Sequence, residues 1–330
     1  MRLLRALWTR RPPTRVVSWD QLTSEEIEAW HTIRAKNPAL DSPYFHPGYA
    51  EAVHASGRPV EVVVKRGPDG DVTALLPGHR DGSQFVPVGM PGTDFQGPIA
   101  TADRPPLPED LLIDGLEGMH FDDLVDGYGD QFDPWISRRR TSPVIDTTGG
   151  LEGYLSRASK SGRENIAQAR RRAAKAARTI GELRFAAHVS DETTLSQLIA
   201  LKQEQYRRTG SRNPGFTPFR TTLVTRLLHT QEPGFAGMLS TLHAGDRLVA
   251  AHFGIRSEHV LHWWFPVYDT EFSDLSPGWI MLRELIQAAA ELGIHRIDLG
   301  RGDEEYKRRI KTGESIVYRA TLTPTPPTAP

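Results

Sequence analysis

The chain has 330 residues and no cysteine. A disulfide framework, a thiolate metal site and a cysteine nucleophile are therefore excluded. The basic opening segment contains only a short apolar run and no small-residue cleavage site, so it matches neither a signal peptide nor a membrane span. We therefore expect a cytoplasmic protein.

Three motifs of nucleotide-dependent and hydrolytic enzymes are also missing. The sequence has no P-loop, no dinucleotide-binding glycine pattern and no serine in a nucleophile elbow. A nucleotide hydrolase, a dehydrogenase and a serine hydrolase are therefore set aside. The acidic stretch from Leu107 to Asp133 lacks the ligand spacing of a calcium loop, and we expect no metal.

The charges that are present are unevenly distributed, although the net charge is −1. Residues 107–133 include nine acidic residues and no Lys or Arg, which indicates a solvated acidic face. Residues 157–178 include eight basic residues and one acid, and their spacing predicts a helix. Its basic side chains would either bind phosphates or lie in solvent. The predicted apolar stripe of this helix is narrow and consists of Ile166, Ala169, Ala173 and Ala177.

The length and an average apolar content predict about two domains with buried cores. In the first half, Thr23 or Ser24 precedes a predicted helix, and a short helix follows Pro47. The segments VEVVVKR and DVTALLPG form a predicted hairpin. The strand QFVPVG, a helix near Leu111 and a strand around Phe121 complete this half.

The second half of the sequence has clearer signals for helices and strands. Helices are predicted from Glu192 to Thr209 and from Pro218 to His229, followed by the strands FAGMLSTLHA, RLVAAHFGI and VLHWWFPV. A helix then begins at a Ser-Pro-Gly turn and ends at Gly293, and IHRIDLG and SIVYRATL are the last strands. Within VLHWWFPV, alternation predicts one face with Leu261, Trp263, Phe265 and Val267 and another with His262 and Trp264.

The order of these elements resembles the GNAT acyltransferase fold. The run from Ala244 to Glu314 is similar to the CelD/BcsL-type, FemAB-like branch of that superfamily, with its BioF2-like acetyltransferase domain. The resemblance rests on the hairpin with an aromatic second strand, the Ser-Pro-Gly helix start, the Asp and Gly at the next strand end, and the pair Tyr306 and Lys307. It extends over the second half of the chain and weakens toward Trp19.

The resemblance implies an α+β fold, an α/β/α sandwich of two tandem GNAT-like domains, each with a mixed, mostly antiparallel sheet flanked by helices. We predict a basic tail at 1–15, a degenerate N-terminal domain at 16–147, a C-terminal acyltransferase domain at 148–323 and a Pro-rich tail at 324–330. The implied reaction moves an acyl group from acyl-CoA or acetyl-CoA to a primary amine. The acceptor would be a sugar, lipid or peptide of envelope, polysaccharide or lipid metabolism.

Two alternatives stay open. A Fem-like transferase would take an aminoacyl group from charged tRNA, with the basic helix as the tRNA footprint. A non-catalytic pseudo-acyltransferase would use that helix to dock on an anionic membrane or a nucleic acid. The Arg-rich start of the chain also favours peripheral contact with the inner face of the membrane.

The resemblance places the pyrophosphate of the donor at the helix that begins at Pro277, because the first N–H groups of a helix have no internal acceptor. Gly278 lets the backbone approach the ligand closely. The segment DLSPGW has a single glycine and so departs from the usual GNAT signature. The candidate donor-binding residues are Ser276, Gly278, Trp279 and Arg163.

Acyl transfer needs a base for the incoming ammonium, hydrogen-bond donors for the oxyanion and an acid for the leaving thiolate. We expect Asp298 or His262 to be the base, Tyr306 the acid, and Lys307 to stabilise an anion. Each also has a structural alternative, as a strand-end carboxylate, a core histidine, a packed ring or a surface lysine. The candidate substrate-binding residues are Arg301, Lys311, Tyr268, Asp94 and Tyr44.

The tripeptide Arg301-Gly302-Asp303 is also found in cell-adhesion ligands. It has that role only when it is displayed outside a cell. For a protein expected in the cytoplasm we attribute its occurrence to chance.

Overall fold

The computed structural model describes residues 14–113, 115–211, 215–302 and 304–327. Asp303 of the Arg-Gly-Asp tripeptide, most of the predicted basic tail and the last three residues of the Pro-rich tail lie outside these ranges. The helices are α1 (Ser24–Lys36), α2 (Pro47–Ala55), α3 (Pro108–Leu111), α4 (Gly150–Arg157), α5 (Lys160–Thr179), α6 (Glu192–Thr209), α7 (Pro218–His229), α8 (Pro277–Ala289) and α9 (Glu305–Ile310).

The strands follow the same order along the chain. They are β1 (Arg15–Ser18), β2 (Glu61–Arg66), β3 (Val72–Asp81), β4 (Gln84–Pro87), β5 (Ile99–Ala100), β6 (Gly118–Val125), β7 (Ile136–Asp146), β8 (Leu183–Ala186), β9 (Gln231–Glu232), β10 (Phe235–Ala244), β11 (Arg247–Ser257), β12 (Val260–Tyr268), β13 (Arg296–Asp298) and β14 (Gly313–Leu322).

The chain divides into two compact units. Unit 1 comprises Met1–Leu40, Pro59–Arg138 and Tyr318–Pro330, and unit 2 comprises Asp41–Arg58 and Arg139–Val317. This division differs from the predicted boundary at residue 147, because α2 belongs to unit 2 and the divisions fall within β7 and β14. A boundary read from sequence assumes that each domain is one continuous stretch, and here the chain passes between the units four times.

Unit 1 contains a mixed sheet in the order β1-β2-β3-β4-β6. The pairs from β1 to β4 are antiparallel, and β4 pairs with β6 in parallel. Helix α1 packs on β3, and its Trp30 side chain is fully buried. Thr23, one of the two predicted start residues, caps the helix in a capping box, in which the Glu26 N–H donates to Thr23 Oγ1 at 3.2 Å and the Thr23 N–H donates to Glu26 Oε2 at 3.1 Å.

In unit 2 the strands of the sheet follow the order β7-β13-β12-β11-β10-β8. Strands β12 and β13 are parallel and are connected through α8, whereas the other neighbours in this order are antiparallel. The parallel register places His262 beside Asp298. An apolar core joins α4, α5 and α8 to this sheet, while α6 and α7 pack on the opposite face.

The predicted mixed, mostly antiparallel α+β fold is confirmed, and α6 and α7 have the predicted bounds. The regular part of α8 ends at Ala289, and a turn continues the chain to Gly293. Gly293 is the predicted stop, since its φ is +68° and the following Ile294 N–H donates back to the Ala289 carbonyl at 2.9 Å. The predicted alternation in β12 holds only in part. Trp263 belongs to the core beneath α8, but the Phe265 ring packs against Phe216, with 4.9 Å between centroids.

The apolar stripe of α5 also differs from the prediction at its end. Gly162, Ile166, Ala169 and Ala176 are buried, whereas Ala177 is exposed. With about 3.6 residues per turn, a stripe advances by alternating steps of three and four residues. The next buried position after residue 173 is therefore 176, and not 177.

Strand β10 approaches α7 so closely at Gly237 that no side chain fits between them. A Cβ atom built there would lie 2.0 Å from the carbonyl oxygen of Leu227. Gly237→Ala should lower the free energy of unfolding by about 1–3 kcal/mol, because a backbone atom cannot rotate away from the new methyl group. Denaturant unfolding followed by circular dichroism measures this loss.

Gly313→Ala is the matched control at the start of β14. The nearest neighbour of its Cβ would be a side-chain carbon of Val144 at 3.5 Å, which is an ordinary contact. The control should change stability by less than about 1 kcal/mol. Equal losses in the two variants would show that the close approach at Gly237 is not the cause.

Candidate active site

A cavity of about 510 Å³ lies in unit 2, between the end of β12, the start of α8 and the segment that leads into α9. Most of its wall is apolar and aromatic, with a small number of polar groups, as is usual for small-molecule sites. It is lined by Lys202, Gln205, Trp263, Pro266, Val267, Tyr268, Ser273, Ser276, Gly278, Trp279, Met281, Leu282, Glu304 and Tyr306. Five residues predicted from the sequence are therefore brought together: Tyr268, Ser276, Gly278, Trp279 and Tyr306.

The start of α8 forms one end of this cavity. Ser276 precedes the helix in a left-handed conformation with φ +48°, which is uncommon for a residue with a side chain. Arg172 of α5 donates a hydrogen bond to Ser276 Oγ. Pro277 has no N–H, so Gly278 carries the first N–H of the helix. The positive end of the helix and the guanidinium group of Arg172 both favour a negatively charged ligand here.

Lys202 of α6 is a polar wall residue that sequence reasoning missed. Lys202 is only 8% exposed, and its Nζ donates a hydrogen bond to the Pro266 carbonyl at 2.7 Å. Burial lowers the pKa of the Lys202 ammonium to about 8, and the positive charge of Lys307 acts in the same direction. The cavity therefore contains an amine that changes charge close to neutral pH.

Tyr306 of α9 holds its proton more tightly than an ordinary tyrosine, whereas Lys202 loses its proton more easily than an ordinary lysine. Burial raises the pKa of its phenol well above the usual range, and the charge of Glu304 raises it further. A side-chain hydrogen bond with Trp263 opposes these effects. The phenol is therefore protonated throughout the physiological pH range, so its O–H is available as a hydrogen-bond or proton donor.

Lys307 lies behind this wall and is 5% exposed. Its ammonium donates to the carbonyls of Arg301 at 2.8 Å and Gly300 at 3.3 Å, and it lies 3.1 Å from Glu304 Oε2. All three partners belong to the loop between β13 and α9. The structure thus gives Lys307 a loop-ordering function, and its predicted role with an anion stays a prediction.

Asp298 and His262, the two predicted bases, are fully buried neighbours on β13 and β12, and neither lines the cavity. Asp298 Oδ1 accepts a hydrogen bond from Arg296 Nε at 2.9 Å. Burial raises the pKa of the Asp298 carboxyl, whereas the charges of Arg296 and His262 oppose that rise. Their position supports the structural alternative for both residues, and their role as base stays a prediction.

The remaining predicted residues lie at separate places. Tyr44 is buried against the His262 ring, with 4.9 Å between centroids. Arg163 of α5 donates to the Ala158 carbonyl and does not line the cavity. Lys311 forms an ion pair with Glu314. Arg301 follows β13, and Asp94 belongs to unit 1.

Sequence reasoning did not identify Lys202, Arg172, Trp263 or Glu304. Glu304 is two residues before the predicted Tyr306, so its proximity could have been noticed. Lys202 lies in a helix that shows no motif, and its burial depends on the packing of α6 against β12. Arg172 is one of three consecutive arginines, and the sequence does not distinguish which of them contacts another helix.

Comparisons with known proteins agree with this architecture. Residues 160–308, a little under half of the chain, match the family model described as an acetyltransferase (GNAT) domain. This finding supports a GNAT acetyltransferase domain within unit 2, although the CelD/BcsL subtype is not distinguished. No curated protein matches significantly.

Solved structures are similar over nearly the whole chain. FemX has 11% identity and a TM-score of 0.61, with 92% of this chain and 96% of that chain covered. L-PGS from Bacillus licheniformis has 13% identity and a TM-score of 0.54, with 89% and 90% covered. A tandem GNAT protein of the clavulanic acid pathway has 10% identity and a TM-score of 0.50, with 96% and 100% covered. At such low identity these likenesses show the fold alone.

None of the helices described here is both long enough and apolar enough to cross a membrane.

The lowered pKa of Lys202 predicts a change of stability with pH. Below about pH 8 the buried Lys202 ammonium is charged and lowers the free energy of unfolding by its full amount. As the pH rises from about 8 toward 10.5, the ordinary pKa of lysine, the folded protein loses this proton before the unfolded chain does, and the destabilisation disappears. Lys202→Met removes the destabilisation. Its stability relative to the parent should therefore be highest below pH 8 and should fall by up to about 3 kcal/mol by pH 10.5.

Urea unfolding of both proteins at several pH values measures this difference. Lys160→Met is the control, because the Lys160 side chain is 87% exposed. The control should follow the parent at every pH. A constant difference between Lys202→Met and the parent across this range would show that Lys202 titrates normally.

Proposed function

We propose that this chain is an N-acyltransferase of the CelD/BcsL-type, FemAB-like branch, which moves an acyl group from acyl-CoA to a primary amine. The acceptor is an amine of a sugar, lipid or peptide in envelope, polysaccharide or lipid metabolism. One observation carries the proposal: a single cavity has an anion-attracting helix start at one end, and its wall also includes a protonated phenol and a weakly basic amine.

The donor end of the site is formed by α5 and α8. The Gly278 N–H and the Arg172 guanidinium bind the pyrophosphate of coenzyme A, because both present hydrogen-bond donors in a region of positive potential. The apolar wall around Trp263, Met281 and Leu282 accommodates the uncharged part of the donor. Coenzyme A serves as a substrate here, and no metal takes part in the proposal.

The chemistry requires that a carbon–nitrogen bond forms while the carbon–sulfur bond of the thioester breaks. Lys202 in its neutral form takes the first proton from the acceptor ammonium, and a pKa of about 8 suits this task near neutral pH. Tyr306 gives its proton to the departing thiolate, and the second proton from nitrogen returns to the phenolate. Asp298 and His262 are buried and do not line the cavity, so this scheme assigns the proton transfer predicted for them to Lys202.

The first test is calorimetric titration with coenzyme A, acetyl-CoA and a long-chain acyl-CoA. We expect micromolar binding of at least one of them. Gly278→Ala should weaken that binding at least tenfold, because the methyl group occupies the closest approach of ligand to backbone. The same variant should fold normally, since the nearest atom to its Cβ would be a ring carbon of Tyr268 at 3.8 Å.

Gly313→Ala serves again as the control, because it adds the same methyl group outside the cavity. Absence of heat with all three ligands would overturn the acyl-CoA proposal. Charged tRNA is then the next ligand, because the exposed arginines of α5 support the Fem-like alternative.

A second test concerns the acid. Tyr306→Phe should lower kcat for acyl transfer about 100-fold or more while the donor affinity changes little. A thioester with a more acidic leaving thiol should recover much of the lost rate, because that thiolate needs no proton. Tyr206→Phe is the control, since that ring packs 5.3 Å from Lys202 Nζ and does not line the cavity. A uniform loss with every leaving group would assign Tyr306 to substrate positioning instead.

A further inference from the structure

A second concave surface in unit 2 shares no lining residue with the candidate active site. This arginine groove has a volume of about 470 Å³ and lies between α4, α5 and α8. Leu151, Leu155 and Ile166 form an apolar part of its lining. Its charged lining residues are Arg163, Arg170, Arg171 and Arg283.

The charges of the arginine groove are poorly compensated. Arg283 is bonded to Glu284, and the Arg163 guanidinium donates to a backbone carbonyl. Arg170 and Arg171 are exposed and form no ion pair with any residue that the structure describes. Glu164 is the only acid of α5, and it faces Lys160 at 4.0 Å. Such a surface attracts an anion, because adjacent guanidinium groups repel one another until a partner neutralises them.

We propose that the arginine groove binds the phosphate headgroup of an anionic phospholipid and so docks this chain on a membrane surface. Guanidinium groups match phosphate oxygens in a two-pronged hydrogen-bond geometry. The partly exposed side chains of Leu151 and Leu155 contact the apolar atoms next to the phosphate. The lining has no aromatic side chain on which a nucleobase would stack, so a lipid fits better than a nucleic acid.

The docking is electrostatic and peripheral. The exposed side chains of α5 are polar or small, and among the described residues Leu107 is the only large hydrophobic residue that is exposed. Each basic side chain near an anionic membrane strengthens binding about fivefold. Lys175 and Arg178 continue the basic surface toward the end of α5. Binding should therefore weaken steeply with salt.

Sedimentation of the full chain with sucrose-loaded vesicles tests the proposal. One vesicle type contains phosphatidylcholine alone, and the other also contains phosphatidylglycerol. We expect binding to the anionic vesicles only. The double variant Arg170→Gln/Arg171→Gln should lose at least tenfold in affinity. Coenzyme A binding should persist in this variant, so failure of docking is distinguishable from failure of the proposed enzymatic function.

The matched control is Arg207→Gln/Arg208→Gln, which removes the same charge from an adjacent pair at the end of α6, outside the groove. Its vesicle affinity should be close to that of the parent. Equal losses in the two double variants would overturn the proposal, because net charge alone would then explain binding. Leu155→Ser should also weaken vesicle binding, since it removes the apolar contact beside the headgroup.

Two competition experiments identify the source of the phosphate. Millimolar inorganic phosphate should not release the protein from vesicles, because it lacks the apolar part and the array of headgroups. Release by inorganic phosphate would identify a free-phosphate site. Stronger binding to single-stranded RNA than to anionic vesicles at the same salt concentration would overturn the lipid assignment in favour of a nucleic acid.

Discussion

The position of Tyr306 depends on one buried ammonium group, that of Lys307. Its hydrogen bonds to the carbonyls of Gly300 and Arg301 fix the loop after β13, and its contact with Glu304 fixes the residue before α9. These three interactions use all three protons of the ammonium. A helix as short as α9 has little intrinsic stability in water, so its orientation comes from such contacts.

The same ammonium shapes the electrostatics of the cavity. Lys307 and Lys202 are both buried cations that interact with Glu304, and a single carboxylate cannot compensate both. Burial is the main reason that the pKa of Lys202 is lowered, and the positive charge of Lys307 lowers it further. The residues that order the loop before Tyr306, Lys307 and Glu304, thus also act on the charge of Lys202.

Much of the fold could be predicted from the sequence because its signals are local. Capping residues mark the starts of α1, α6 and α7, and turn glycines separate the strands of the hairpins. The division into units could not be predicted, since it depends on long-range packing of a segment such as α2. The register error at Ala177 has a similar origin, because a stripe of small residues leaves the buried position ambiguous by one residue.

Only some residues of the candidate active site could be predicted from the sequence, for a related reason. Ser276, Gly278, Trp279 and Tyr306 follow turns or strand ends, where short motifs are visible in the sequence. Lys202 and Arg172 come from the middle of long helices, where only packing decides which side chains are enclosed. The local pattern of Lys202 is that of an ordinary charged helix residue, and only the tertiary structure removes it from solvent.

The three consecutive arginines of α5 show how one helix serves two surfaces. Neighbouring residues of a helix lie about 100° apart around its axis, so a run of like side chains cannot share one environment. Arg170 and Arg171 line the arginine groove, whereas Arg172 reaches Ser276 at the candidate active site. Helix α8 likewise contributes Arg283 to the groove and Gly278 to the cavity. The two surfaces are therefore held at a fixed separation by the packing of α5 on α8, and a ligand phosphate at either one adds a counter-charge to the same cationic helix.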